Sequence, residues 1–165
     1  MRVLGVDPGI ATCGYGVVES AGNALHMVTY GAVETEKGLA VERRLQLVYE
    51  GISALIETYK PEAISVEQLF FNRNVTTAIV VGEARGVILL AASQHALPVM
   101  EYTPYQVKQS VVGYGKATKE QVMLMVQRLL ALRIKPRPDD AADALAMAIC
   151  GLHSSTYHNW QERSR

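Results

Sequence analysis

Asp7 closes the run Met1-Arg2-Val3-Leu4-Gly5-Val6-Asp7, and Glu67 closes Ala63-Ile64-Ser65-Val66-Glu67. Two carboxylates at strand ends can hold a cation or move a proton if the strands lie side by side. A third acidic feature, Asp139-Asp140-Ala141-Ala142-Asp143, opens an apolar stretch that runs on to Ala148. On a helix, Asp140 and Asp143 stand about 60° apart and Asp139 and Asp143 about 40° apart. Spacing alone therefore leaves either Asp139 or Asp140 as the companion of Asp143. An all-oxygen acidic set suits hard, hydrated cations such as Mg²⁺ or Mn²⁺. Two such ions can activate water and stabilise the leaving oxygen in phosphodiester hydrolysis. The competing reading is plain: strand-end acids, plus Asp139 and Asp140 favoured after Pro138 by the helix dipole. Asp143 fits that reading least, because a charge among apolar neighbours needs a partner. His26, His95, His153 and His158 show no ligand spacing, and no Cys/His cluster suits zinc.

The elements that must position these acids follow from hydrophobic period. Arg2–Val6, Gly14–Glu19 and Leu25–Glu34 read as an antiparallel meander, with a turn signal at Gly22-Asn23. Leu45, Val48, Ile52, Leu55, Ile56 and Tyr59 recur at helical steps, which predicts a helix over Leu39–Tyr59. A strand over Glu62–Glu67, a helix over Thr76–His95 and a strand over Pro98–Tyr102 come next. Helices over Pro104–Val112, Thr118–Leu130 and Pro138–His153 complete the domain, 1–153. A polar tail, 154–165, is expected to fray. The order implies an α/β protein with a mixed sheet flanked by helices. Sites in such sheets form at the carboxyl ends of strands, so Asp7 and Glu67 would converge if the first and fourth strands are parallel neighbours.

Composition sets the bounds. The 165 residues are 49% hydrophobic and 19% charged, with 16 basic and 16 acidic side chains. That is an ordinary one-domain globular mix, and its zero net charge does not announce a nucleic-acid binder. Cys13 and Cys150 read as buried thiols in a reducing compartment. No secretory signal is read at the start. The longest apolar run, Gly86 to Ser93, is far short of the ~20 residues a membrane span needs. A cytoplasmic protein is expected.

Gly5-Val6-Asp7-Pro8-Gly9, followed by Gly14-Tyr15-Gly16, resembles the opening of the RuvC family of Holliday-junction resolvases. Glu67-Gln68-Leu69-Phe70 resembles the family's second acidic motif. Ala84-Arg85-Gly86, Gln106-Val107-Lys108-Gln109 and Val111-Val112-Gly113 are similar to its middle, and Asp140-Ala141-Ala142-Asp143-Ala144-Leu145-Ala146 to its close. The motifs keep their order from residue 3 to about residue 150. The resemblance implies a ribonuclease-H-like fold with a five-stranded mixed sheet. It implies a Mg²⁺-dependent endonuclease, with Mn²⁺ able to substitute. It implies a homodimer that resolves four-way DNA junctions by paired symmetric nicks in recombination and repair, receiving them from the RuvA–RuvB branch-migration complex.

The resemblance also carries catalytic and metal-holding roles onto Asp7, Glu67, Asp140 and Asp143. It chooses Asp140 over Asp139 because the family's acidic pair is spaced i, i+3. Lys119 matches a family lysine near the scissile phosphate, placed to aid proton transfer or to stabilise developing charge. Lys108 matches a DNA-contacting one. Phe70 is placed at the junction, where an aromatic ring can stack on an unpaired base, and Phe71 is left to the core. Arg73, in the polar stretch Asn72-Arg73-Asn74, and Lys116 are candidate phosphate contacts. The helix over Thr76–His95, with Gly82 and Gly86 one turn apart, reads by default as buried core, and the resemblance makes it the dimer contact. Two rivals are weighed. An actin-like ATPase needs further phosphate loops that 165 residues do not offer. A junction binder without catalysis has no use for an intact acid set.

Overall fold

The chain forms β1 (Arg2–Asp7), β2 (Thr12–Ala21), β3 (Ala24–Glu34), α1 (Val41–Tyr59), β4 (Ala63–Glu67), α2 (Val75–Gln94), β5 (Val99–Tyr102), α3 (Pro104–Val112), α4 (Lys119–Leu129) and α5 (Asp139–Arg163). These elements belong to a computed structural model. It describes the backbone of residues 1–22, 24–68 and 75–163, and their side chains except those of 75–77 and 156–163. The strands join in one sheet, β3-β2-β1-β4-β5. β1 to β3 form the expected antiparallel meander. β1 and β4 are parallel neighbours, with Val3 opposite Ala63 and Val6 opposite Val66. Asp7 and Glu67 therefore sit one step beyond the last of these pairs, at the same edge.

The period of two sorts the strand side chains between two cores. Val3, Val18 and Ala63 pack with residues of α3, α4 and α5. Leu4, Val6, Val17, Ile64 and Val66 pack with Val48, Ile52 and Ile56 of α1 and Ile88 of α2. By the same alternation Gly5 and Asp7, like Ser65 and Glu67, belong to the α5 face.

On that face α5 lies unusually close to the sheet. A Cβ on Gly5 would stand 2.0 Å from the Ala144 carbonyl oxygen and 2.5 Å from the Ala148 nitrogen. One on Gly14 would stand 2.2 Å from the Asp140 carbonyl oxygen. Ser65, fully buried, donates from Oγ to the Met147 carbonyl at 2.8 Å, which satisfies its hydroxyl and ties β4 to the middle of α5.

Two elements differ from the sequence expectation. α5 does not end at His153 but continues to Arg163. Ser154, Ser155 and Thr156 are weak helix formers, not breakers, and Ser155 Oγ bonds back to the Gly151 carbonyl at 2.8 Å without unwinding the turn. α2 is not enclosed all round: Ala84, Ile88, Ala91 and Ala92 are buried, while Ile79 and Leu90 stand exposed on the other side.

The close approach gives a test. Gly5→Ala is expected to lower unfolding stability by about 3 kcal/mol, the upper range for overpacking a rigid contact. Gly38→Ala, at a position with nothing within 4 Å of the added carbon, is expected to change it by less than about 0.5 kcal/mol. Urea unfolding of the two variants checks both values.

Candidate active site

β1 and β4 deliver Asp7 and Glu67 to the same edge of the sheet, where the strands stop and α5 begins. Asp7 is half-buried, and burial with the negative charges of Asp143, Glu67 and Asp140 raises its pKa to about 7. Burial raises Glu67 too, with Asp143 adding to it. The cause is physical: carboxylates drawn from water and set among other carboxylates cannot all stay ionised at low cost. Cys13 lies beneath them and is pushed to about 12, chiefly by burial. It is an inert packing thiol, as expected.

α5 supplies the other acids. Asp140 faces β2 across Gly14, and its charge is felt at Asp7. Asp143, one helical step further, is raised by burial against the opposing pull of Lys119. Its carboxylate is not unpartnered, contrary to what its apolar sequence neighbours suggest. Lys119 Nζ donates to Asp143 Oδ2 at 2.9 Å. Asp139 stands apart, with Arg137 at 3.1 Å and Lys119 at 3.8 Å. Lys119 is the first residue of α4, where the helix dipole disfavours a cation. Its hold comes from the hydrogen bond with Asp143, the largest cause of its raised pKa.

Asp7, Glu67, Asp143, Lys108 and Lys119 line one cavity of about 250 Å³. Its apolar wall includes Val107, Val122 and Met147. The oxygen-only donors, mutually raised in pKa, fit a hard divalent cation. Among the described residues, however, no three His, Cys, Asp or Glu side chains surround a common point closely enough to hold an ion. Asp143 is engaged by Lys119 instead. That pair is half-exposed, at 54% and 37%, so its net strength is on the order of 1 kcal/mol or less.

The structure thus brings together Asp7, Glu67, Asp143, Lys108 and Lys119 around the cavity, while Asp140 does not line it but is near enough to raise Asp7. Lys116 is exposed between α3 and α4 and does not line the cavity. Phe70, Phe71 and Arg73 lie outside the described residues. Two features escaped the sequence reading. Thr103 with Gln106 and Thr118 with Gln121 form capping boxes that start α3 and α4, and so set Lys108 and Lys119. The Thr-x-x-Gln spacing is the signal that reveals them. The other is Arg85 of α2, which reaches the backbone of Glu67.

Comparison with known proteins agrees with this geometry. The family described as Crossover junction endodeoxyribonuclease RuvC matches residues 3–151. The protein of that name from Heliobacterium modesticaldum is 57% identical over 157 residues, 95% of this chain and 97% of the relative. That from Moorella thermoacetica is 53% identical over 165 residues, 100% and 97%. Among solved structures, Thermus thermophilus RuvC in complex with a Holliday junction substrate superposes with a TM-score of 0.90 at 37% identity, covering 94% of each chain.

Asp7 generates a pH test. Its ordinary pKa is 3.8 and its folded value about 7, so between these values the folded state binds the extra proton. Stability of the metal-free protein should therefore fall as pH rises through that window. Asp7→Asn should flatten the fall. Thermal unfolding in chelator at several pH values measures it, and an unchanged slope in the variant would remove Asp7 from the coupled cluster.

Proposed function

The chain belongs to the RuvC family of crossover junction endodeoxyribonucleases, and we propose that it resolves four-way DNA junctions by paired symmetric nicks in opposed strands, in recombination and repair. The observation that carries this reading is the convergence of two strand ends and the start of α5 on one acidic cavity, within a family match spanning 3–151.

Asp7, Glu67, Asp140 and Asp143 would hold the divalent cation, Mg²⁺ with Mn²⁺ able to substitute. When bound, it supplies water activation and stabilisation of the leaving oxygen in phosphodiester hydrolysis. Asp143, paired with Lys119 when no ion is bound, would be one of these ligands. The Lys119 ammonium, on the cavity wall, would face the phosphate, where it offsets developing charge or passes a proton. Lys108, on the same cavity wall, binds the strand through a phosphate. Lys116 and Arg73 extend phosphate contact, and Phe70 stacks on an unpaired base at the junction.

Two matched cuts require two sites related by a two-fold axis, which a homodimer provides. The exposed apolar residues Ile79 and Leu90 of α2 support its use as the contact. Hand-off from RuvA–RuvB and a cytoplasmic setting complete the reading, with residues 154–165 as a polar extension of the nuclease domain 1–153.

Purified protein with Mg²⁺ should nick a synthetic four-way junction in opposed strands. Asp7→Asn should abolish cleavage while junction binding persists. Lys119→Ala should slow cleavage by about 10²–10³-fold, the range for removing one charge-stabilising donor. Gel assays on junction and plain duplex read both, and equal cleavage of the duplex would sink the junction assignment.

A further inference from the structure

Arg85 is a charge on α2 among otherwise mostly apolar residues, and nothing in the proposed chemistry uses it. Its side chain is only 15% exposed. One terminal nitrogen pairs with Glu101 Oε2 of β5 at 2.6 Å. Its Nε donates to the Glu67 carbonyl oxygen at 3.3 Å. Glu101 stands opposite Val66 in the β4–β5 pairing, and Val66 belongs to the core shared with α1 and α2. Arg85 thus approaches from the face opposite to the one that carries the Glu67 side chain.

The peptide unit joining Glu67 to Gln68 is the last of β4, and it is held at both ends. Gln68 N–H donates to the Tyr102 carbonyl at 2.9 Å, and the Glu67 carbonyl accepts from Arg85. A strand end bonded on one side alone is free to fray. Fixing both groups of this peptide fixes the backbone from which the Glu67 carboxylate projects. From this geometry we infer that Arg85 is a positioning residue for Glu67, acting through its peptide carbonyl to hold the carboxylate in register with Asp7 for cation binding. Glu101 orients the guanidinium and neutralises it in a largely buried place. Lysine cannot reproduce this, because it lacks the forked donors that serve both acceptors together. The inference rests on the proposed metal-dependent reading of the cavity.

The test uses the full chain and Mn²⁺ alone as probe, read by electron paramagnetic resonance of the free ion. Metal-free melting and the Mg²⁺ dependence of junction cleavage are measured beside it. Arg85→Gln and Arg85→Lys are each expected to raise the Mn²⁺ dissociation constant about tenfold, the lower range for loss of a group supporting a metal ligand. The Mg²⁺ concentration for half-maximal cleavage should rise to match. Arg85→Lys keeps a charge opposite Glu101 and should melt within about 5 °C of wild type. It decides the matter alone if Arg85→Gln does not fold. Mn²⁺ binding within twofold of wild type in a folded variant, whatever its melting temperature, reduces Arg85 to a packing role and overturns the inference. A wild-type chain that takes up no Mn²⁺ overturns the metal reading itself, and the inference with it.

Discussion

The contact on which the rest depends is the seat of α5 on the sheet. Gly5 and Gly14 present bare backbone to Ala144, Ala148 and Asp140, at separations that no side chain could share. Ser65 adds a buried side-chain hydrogen bond that crosses to the middle of the helix. Glycine on the strands and alanine on the helix let backbones meet, so the helix has little freedom to slide or roll. Asp140 and Asp143 lie in its first turns. Their distance from Asp7 and Glu67 is therefore set by close-packed backbone. A displacement of about 1 Å is enough to cost large factors in a site that depends on orientation.

Packing this tight brings together groups that repel. Burial and mutual charge raise Asp7 and Glu67 together, and Asp143 is raised against the pull of its lysine. The fold supplies the energy for this crowding through the two apolar cores on either side of the sheet. Lys119 relieves part of the repulsion from a poor position, the start of a helix.

Much of this was legible in the chain. The alternation in Arg2–Asp7 and Ala63–Glu67, each stopped by an acid, yields two strand ends, and their parallel pairing is as supposed. The acids of α5 were visible for the opposite reason, charges placed before an apolar run. What spacing could not supply was partnership across elements. Asp143 looked unpartnered because Lys119 lies on another helix, and Arg85 was read only as part of a motif because the Glu67 oxygen it reaches is main-chain and leaves no mark on side-chain pattern. The end of α5 was misplaced because Ser and Thr weaken a helix without stopping it. The glycines read as turn and motif residues, and their use as a helix seat shows only once α5 is laid against them.

The seat of α5 also dictates when the enzyme comes into being. The β1–β2–β3 meander, α1, β4 and α2 are complete before residue 95 and can bury one face of the sheet among themselves. The other face, with Gly5, Gly14 and Ser65 bare, waits for α5. Synthesis runs from the N-terminus. A nascent chain thus carries Asp7 and Glu67 as two lone acids through most of translation. The acidic cavity is complete only once α5 has been made, and a chain cut before residue 139 lacks Asp140 and Asp143.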